Sequence, residues 1–302
     1  MINIIKHRKI PFIISGLLFV SSVVLLLVLG LKPGIDFTGG SLIEVTFTGE
    51  RPNIIQVEEA LTPLDFGSLL LQPSDDDAMI IKLRFVSEDE HQMVLSALRD
   101  NFETEEDKVL EDRVDTIGPA ISSHLRERAM YAAIAVVLAI VFYVAYAFRK
   151  VSRPVKSWKY GLSAIVALIH DVTITMGVFA ILGKVLGVEV DIAFVVALLT
   201  IMGYSVNDTI VVFDRVRENL IKDGSENFAR TVNRGVNETF VRSINTSLTT
   251  LTVLIALFLF GGDSIRYFSL ALIIGIAFGT YSSIFLASPI LVVWEEWGKR
   301  KA

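Results

Sequence analysis

Six long apolar runs and one alternating stretch organise the 302 residues of this chain. The first run, Ile10 to Leu31, follows Lys6, Arg8 and Lys9. It exceeds the core of about 7–15 residues found in a cleaved signal peptide, and no small-residue cleavage site follows it. The reading is a retained span with its N-terminus in the cytoplasm. Further apolar runs predict spans near 129–148, 160–183, 190–213, 243–261 and 267–293. Each approaches the ~20 residues that a helix needs to cross a bilayer.

The stretch from Gly34 to about Leu125 follows a different period. Ile43, Val45 and Phe47 alternate with Glu44, Thr46 and Thr48, which predicts a half-buried strand. Pro52 is expected to open a helix to about Leu64, since proline is favoured in a first turn. Strands are expected over 67–72 and 78–86, joined at the acidic turn Ser74 to Asp77. Ser87-Glu88-Asp89-Glu90 is a capping box and starts a helix to about Phe102. A weaker strand, 109–117, closes the unit before Gly118-Pro119. The order is βαββαβ, a split βαβ or ferredoxin-like sandwich. At about 90 residues it is large enough for a core of its own.

The expected architecture is a polytopic α-helical membrane protein. It has six transmembrane helices and one α+β, ferredoxin-like domain outside the cytoplasm, between helices 1 and 2. Residues 1–32 form the N-terminal tip and first span, 33–127 the outward domain, and 128–302 the other five spans with a cytoplasmic C-terminus.

Composition and charge sharpen this picture. The chain is 52% hydrophobic and only 20% charged, and the charge is concentrated between the apolar runs. A net charge of −5 argues against nucleic acid as a partner. The absence of cysteine excludes disulfides, thiolate catalysis and cysteine metal sites. His7, His91, His124 and His170 show no ligand spacing, so neither a metal nor a cofactor is expected. The loop 149–159 carries Arg149, Lys150, Arg153, Lys156 and Lys159 with no acid. The loop 214–242 adds Arg215, Arg217, Lys222, Arg230, Arg234 and Arg242. The positive-inside rule puts both loops and both termini in the cytoplasm, with Trp158, Trp294 and Trp297 as an aromatic belt.

Candidate chemistry lies in the polar residues of the spans. Asp208 falls inside an expected span, where a carboxylate costs roughly 2.5–3.5 kcal/mol on insertion scales. Such a group is expected to face protein or water, to have a partner, or to bind a proton. In the third span Ala164, Ala167, Asp171 and Thr175 recur at helical spacing. Thr200, Tyr204, Asn207 and Asp208 do so in the fourth, and Arg242, Asn245, Thr249 and Thr252 in the fifth. The economical arrangement turns all three stripes toward one interior. At 1.5 Å per residue, Asp208 lies roughly 10 Å and Asp171 roughly 16 Å from the cytoplasmic helix ends. Arg242 has the reach to approach them. An Asp208–Arg242 pair would be held ionised by its partner and pushed toward neutrality by burial, so each proton would change the favoured packing. The bland alternatives are an ion pair that only ties helices together and a His170 that is only the local partner of Asp171. Gly275-x-x-x-Gly279 is expected to be a close-packing motif.

Four motifs carry a resemblance: GIDFTGG at 34–40, ALIHDV at 167–172, GYSVNDTIVVFDRVREN at 203–219 and RSINTS at 242–247. In this order the chain resembles, over essentially its whole length, the SecF family of the bacterial and archaeal Sec protein-export machinery. That family is part of the resistance-nodulation-division superfamily of proton-driven transporters. The resemblance implies six spans, an outward ferredoxin-like domain and pairing with a separate SecD half. It implies use of the proton-motive force to help draw unfolded polypeptides through the SecY channel complex, in contact with membrane lipids. The family's membrane carboxylate matches Asp208 and its partner arginine Arg242, with Asp171, Asn207 and Asn245 as further relay candidates. Gly34, Asp36, Phe37, Gly39 and Gly40 join the first span to the outward domain, and their role is read as positioning. The rival readings are half of a small-molecule or lipid exporter of the same superfamily, and a passive translocon scaffold. An enzyme lacks support, since the chain has no nucleotide loop, zinc motif or nucleophile elbow.

Overall fold

The computed structural model describes residues 3–67, 69–74, 76–148, 155–223 and 227–300. The expected basic positions Arg149, Lys150 and Arg153 lie outside the described residues, as do Ser68 and Asp75. The chain divides into two compact units, Pro33–Met130 and Met1–Lys32 with Tyr131–Ala302.

The smaller unit contains strands β1 (Gly40–Phe47), β2 (Leu70–Ser74), β3 (Ala78–Leu83) and β4 (Val109–Ile117). They form an antiparallel sheet in the order β2-β3-β1-β4, the split βαβ arrangement. Ile43, Val45 and Phe47 point to the covered face, where Met79, Ile81 and Leu83 join them. Two helices complete that core: Val57 and Leu61 from one, Val94, Leu95 and Leu98 from the other. Each fully buried side chain of this size contributes about 1.5–3 kcal/mol. Between β1 and β4 the register slips after Glu44, and Asp112 bulges out to accept the Thr46 hydroxyl at 2.5 Å.

The helix expected to open at Pro52 begins instead at Ile54 and ends at Leu61. Asn53 is its N-cap, accepting from the Gln56 N–H while the Gln56 side chain reaches back, so proline stays outside the helix. A single 3₁₀ turn, Thr62–Leu64, follows it. The second helix, Glu88–Phe102, has the expected capping box between Ser87 and Glu90. Glu90 also binds the Arg84 guanidinium at 2.6 Å.

In the larger unit, α1 (Lys9–Val28) and five later helical segments are long and apolar enough to cross a membrane. Numbered after the one-turn helix α2 (Ile35–Thr38), α3 (Ile54–Leu61) and α4 (Glu88–Phe102) of the smaller unit, these are α5 (Pro119–Ala147), whose residues up to Met130 are counted with the smaller unit, α6 (Ser157–Val185), α7 (Ile192–Asp223), α8 (Phe228–Phe260) and a broken last span. That span comprises α9 (Asp263–Ser282), a π-turn (Ser283–Ala287) and α10 (Ser288–Lys299). The helices outrun the expected spans because hydropathy marks only the apolar window, whereas backbone hydrogen bonding continues through polar ends such as Asp214 to Lys222.

α7 packs against α6, α8 and α9, and α1 against α6. Phe148 stacks on Tyr160 at 5.3 Å, and Phe213 meets the same ring edge-on at 5.4 Å. The N-terminal tip straps across the bundle. Ile4 and Ile5 are buried among Phe228 and Val232, the Ile5 N–H donates to Asn233 Oδ1 at 3.2 Å, and Arg8 grips Glu296 at 2.6 Å.

In the smaller unit, Arg84 and the Ser87 N–H lower the Glu90 carboxyl from 4.5 to about 2. A folded value below the unfolded one means that this stabilisation is complete above about pH 4.5 and fades as the pH falls toward about 2. Hydrogen-exchange protection of the first turn of α4 should therefore differ between wild type and Glu90→Gln at neutral pH, and converge through that acid window.

Candidate functional site

Asp208 sits on the face of α7 that packs into the bundle and is 7% exposed. Its Oδ1 accepts a 2.6 Å hydrogen bond from the Ser243 hydroxyl on α8, while Oδ2 has no partner. Asp171, on α6, is fully buried. Its Oδ1 pairs with His170 Nδ1 at 2.9 Å, and its Oδ2 accepts from Ser205 on α7 at 2.6 Å and Ser282 on α9 at 2.7 Å. One carboxylate is thus matched on both oxygens and the other on one. A charge with a full set of donors is tolerable in a dry bundle, whereas an unmatched oxygen there is costly.

The expected Asp208–Arg242 ion pair is not formed among the described residues. Ser243 occupies the position facing Asp208, and at 3.6 residues per turn its neighbour Arg242 lies about 100° around α8. Arg242 is exposed, as are Asn245, Thr249 and Thr252. The polar stripe expected to turn inward on the fifth span therefore faces outward. The buried stripe of α8 is Thr239, Ser243, Ser247 and Leu254. On α7, Thr200 and Asn207 are exposed too, whereas Ala164, Ala167, Asp171 and Thr175 on α6 share the buried face as expected. The Tyr204 hydroxyl ties the two outward stripes together, lying 3.2 Å from the Thr246 carbonyl and 3.1 Å from Thr250 Oγ1.

The hydroxyls that hold these carboxylates were missed at the level of sequence. Ser205 and Ser243 lie within recognisable motifs but are small beside Asn207 and Arg242. Ser282 and Ser283 are ordinary in composition, and only their adjacency in an apolar run signals them. Close approach here depends on glycine. A Cβ on Gly275 would fall 2.3 Å from Ile201 Cδ1, and one on Gly279 would fall 3.2 Å from Ser205 Cβ and 3.7 Å from Asp171 Oδ2.

In the smaller unit, GIDFTGG folds as Gly34, the one-turn helix α2 with Asp36 in its first turn, then Gly39 and Gly40 at φ of +73° and +131°. Gly40 enters β1 against the Leu83 carbonyl, 2.8 Å from where a Cβ would stand. The Phe37 carbonyl accepts from Arg126. Two consecutive positive φ values are accessible to glycine and strained for other residues.

The two carboxylates differ from Arg242 in what they do for the isolated bundle. Ser243→Ala should lower the unfolding free energy of the purified chain by about 1–2 kcal/mol. Arg242→Ala should change it by less than about 0.5 kcal/mol. Denaturation of both variants in one detergent checks the order.

Comparison with known proteins matches this architecture. The family model "Protein export membrane protein SecD/SecF, C-terminal" covers residues 97–297, and "SecD/SecF GG Motif" covers 24–49. The protein translocase subunit SecF of Thermobaculum terrenum is 41% identical over 98% of this chain and 94% of that protein. SecF of Synechocystis sp. is 36% identical over 99% of this chain and 96% of that protein. The crystal structure of SecDF from Thermus thermophilus, described as a translocon-associated membrane protein, superimposes with a TM-score of 0.82 at 31% identity. It covers 98% of this chain, which spans 39% of that longer one. With family models over most of its length and curated relatives end to end, the chain belongs to the SecF family of protein translocase subunits.

Proposed function

We infer that this chain is one half of a proton-driven accessory motor of the Sec pathway, completed by a SecD half. Together they use the proton-motive force to promote movement of unfolded polypeptides through the SecY channel complex. The role is transport rather than catalysis, driven by protons and without a cofactor. One observation carries the reading: Asp208 is buried with one oxygen unmatched, beside an outward face of Asn207, Arg242 and Asn245. An isolated, finished bundle has no use for such a face in hydrocarbon, where polar groups are expensive. A second membrane half closing over it would bring Arg242, Asn207 and Asn245 into an interior that Asp208 borders. The relay is then Asp208 with Arg242, Asn207 and Asn245 at the seam, and Asp171 behind them.

In this reading both termini and the basic loops are cytoplasmic in a multi-pass inner-membrane protein surrounded by lipid. Residues of about 33–127 lie outside the cytoplasm and handle the emerging chain, and GIDFTGG positions that domain. A proton moving down about 100 mV releases roughly 2.3 kcal/mol, enough to bias a two-state packing by about fifty-fold.

Asp208→Asn, reconstituted in proteoliposomes with its SecD partner and the channel, tests the motor. The acceleration of export by an imposed proton gradient should be lost, with the gradient-free rate unchanged. Unchanged acceleration would remove Asp208 from the motor and favour a passive scaffold. Copurification of small-molecule or lipid cargo in place of channel subunits would favour the exporter reading.

A further inference from the structure

A set of fully buried hydroxyls joins the surroundings of the two carboxylates at the π-turn. Ser282 Oγ donates to Asp171 Oδ2 and also lies 3.1 Å from the Gly279 carbonyl. Ser283 Oγ lies 2.8 Å from the same Gly279 carbonyl and 2.8 Å from the Thr209 hydroxyl, next in sequence to Asp208. Asp208 Oδ2, buried beside that threonine in the chain, has no hydrogen-bond partner. Ser288 Oγ donates to the Ser283 carbonyl five residues back at 2.9 Å. π-turns inside membrane helices often accompany functional sites.

The geometry points to Ser282 and Ser283 as a positioning pair that makes the Asp171 and Asp208 centres interdependent through a hand-over of hydrogen bonds at the Gly279 carbonyl. This rests on the proton-driven reading above and adds how its two carboxylates communicate. With Asp171 ionised, His170, Ser205 and Ser282 fill its acceptor sites. When Asp171 gains a proton, one donor becomes redundant, and Ser282 has a second acceptor already in place at the Gly279 carbonyl. Ser283 then yields that carbonyl and turns its hydroxyl to the unmatched side of Asp208, where it favours the charged form. No proton passes through the serines; each hydroxyl rotates and keeps its own. Occupancy of Asp171 thereby favours an empty Asp208, and the reverse.

The groups that face the two carboxylates are few. His170 on α6 is the one titratable side chain hydrogen-bonded to Asp171 among the described residues, and α7 and α9 supply only Ser205 and Ser282. Asp208 accepts from Ser243 of α8, and Ser283 of the π-turn reaches its neighbour Thr209.

Infrared titration of the complex with SecD, with the Asp208 carboxyl band assigned through Asp208→Asn, reads this coupling directly. In the wild-type background, Asp171→Asn, which mimics the neutral group, should move the Asp208 midpoint to lower pH by about half a unit or more, about threefold in proton affinity. Removing a negative charge nearby would act in the same direction, but without needing the serines. Ser283→Ala and Ser282→Ala should each abolish most of the shift, and Ser283→Thr should restore it. A shift that survives both alanine variants in full overturns the proposal, as does its absence. Should Asp171→Asn fail to assemble, the two carboxyl bands of the unmodified complex titrate in two separated steps. Ser282→Ala should draw these steps together, and steps that stay apart would overturn the proposal equally. Gradient-driven export lost in Asp208→Asn alongside serine-independent titration would leave the motor reading standing and remove this coupling alone.

Discussion

A carboxylate inside an apolar bundle must be matched by donors or neutralised, and much of the packing in the larger unit answers that demand. Around Asp171 the answer is complete: an imidazole from its own helix and one hydroxyl each from α7 and α9. Those donors reach it only because Gly279 lets α9 approach α7 closely, and the π-turn begins directly after Ser282. Helix spacing, the broken last span and the small residues along the α7–α9 contact all converge on the same group. Around Asp208 the answer is partial, and the surplus polarity lies on an outward face. The bundle satisfies one acid entirely from within and leaves another half-matched.

The smaller unit obeys simpler physics. Its sheet has one covered face, so a period of two in the sequence translates directly into burial. Two capping boxes and two positive-φ glycines fix where helices and the first strand begin. Its Arg84–Glu90 pair lies at the surface, and the buried His91 is flanked by Glu88 and Glu111.

This contrast explains what the sequence disclosed and what it withheld. The six spans and the βαββαβ order are periodic over many residues, and periodicity survives small local errors. The helix start at Ile54 in place of Pro52 is one such error, because Asn53 competes successfully for the cap. The carboxylates were legible for the opposite reason: a single aspartate in an apolar run is conspicuous. Its partner was not. Choosing Arg242 over Ser243 is a question of 100° around one helix, and a long cationic side chain attracts attention that a serine does not. Stripes of polar residues declare that a helix has a special face, but both a buried seam and an unclosed interface produce the same spacing. Only the packing of α7 against α8 separates the two. The π-turn has its mark in Pro289, which cannot donate to the Phe285 carbonyl, although the five residues Ser-Ile-Phe-Leu-Ala alone suit an α-helix equally well.

The N-terminal strap adds a temporal dimension. Ile5 bonds to a residue 228 positions later, and Arg8 grips a side chain 288 positions later. At about 5–20 residues per second of synthesis, that separation is roughly a quarter of a minute to a minute. This early segment thus waits long for the partners that hold it. Ile4 and Ile5 wait for Phe228, Val232 and Asn233 on α8, and Arg8 waits longer, for Glu296 on α10. Synthesis of α8 seats Ile5 and synthesis of α10 clamps Arg8, so a bundle truncated before Glu296 would keep the isoleucine anchor and lack the ion pair.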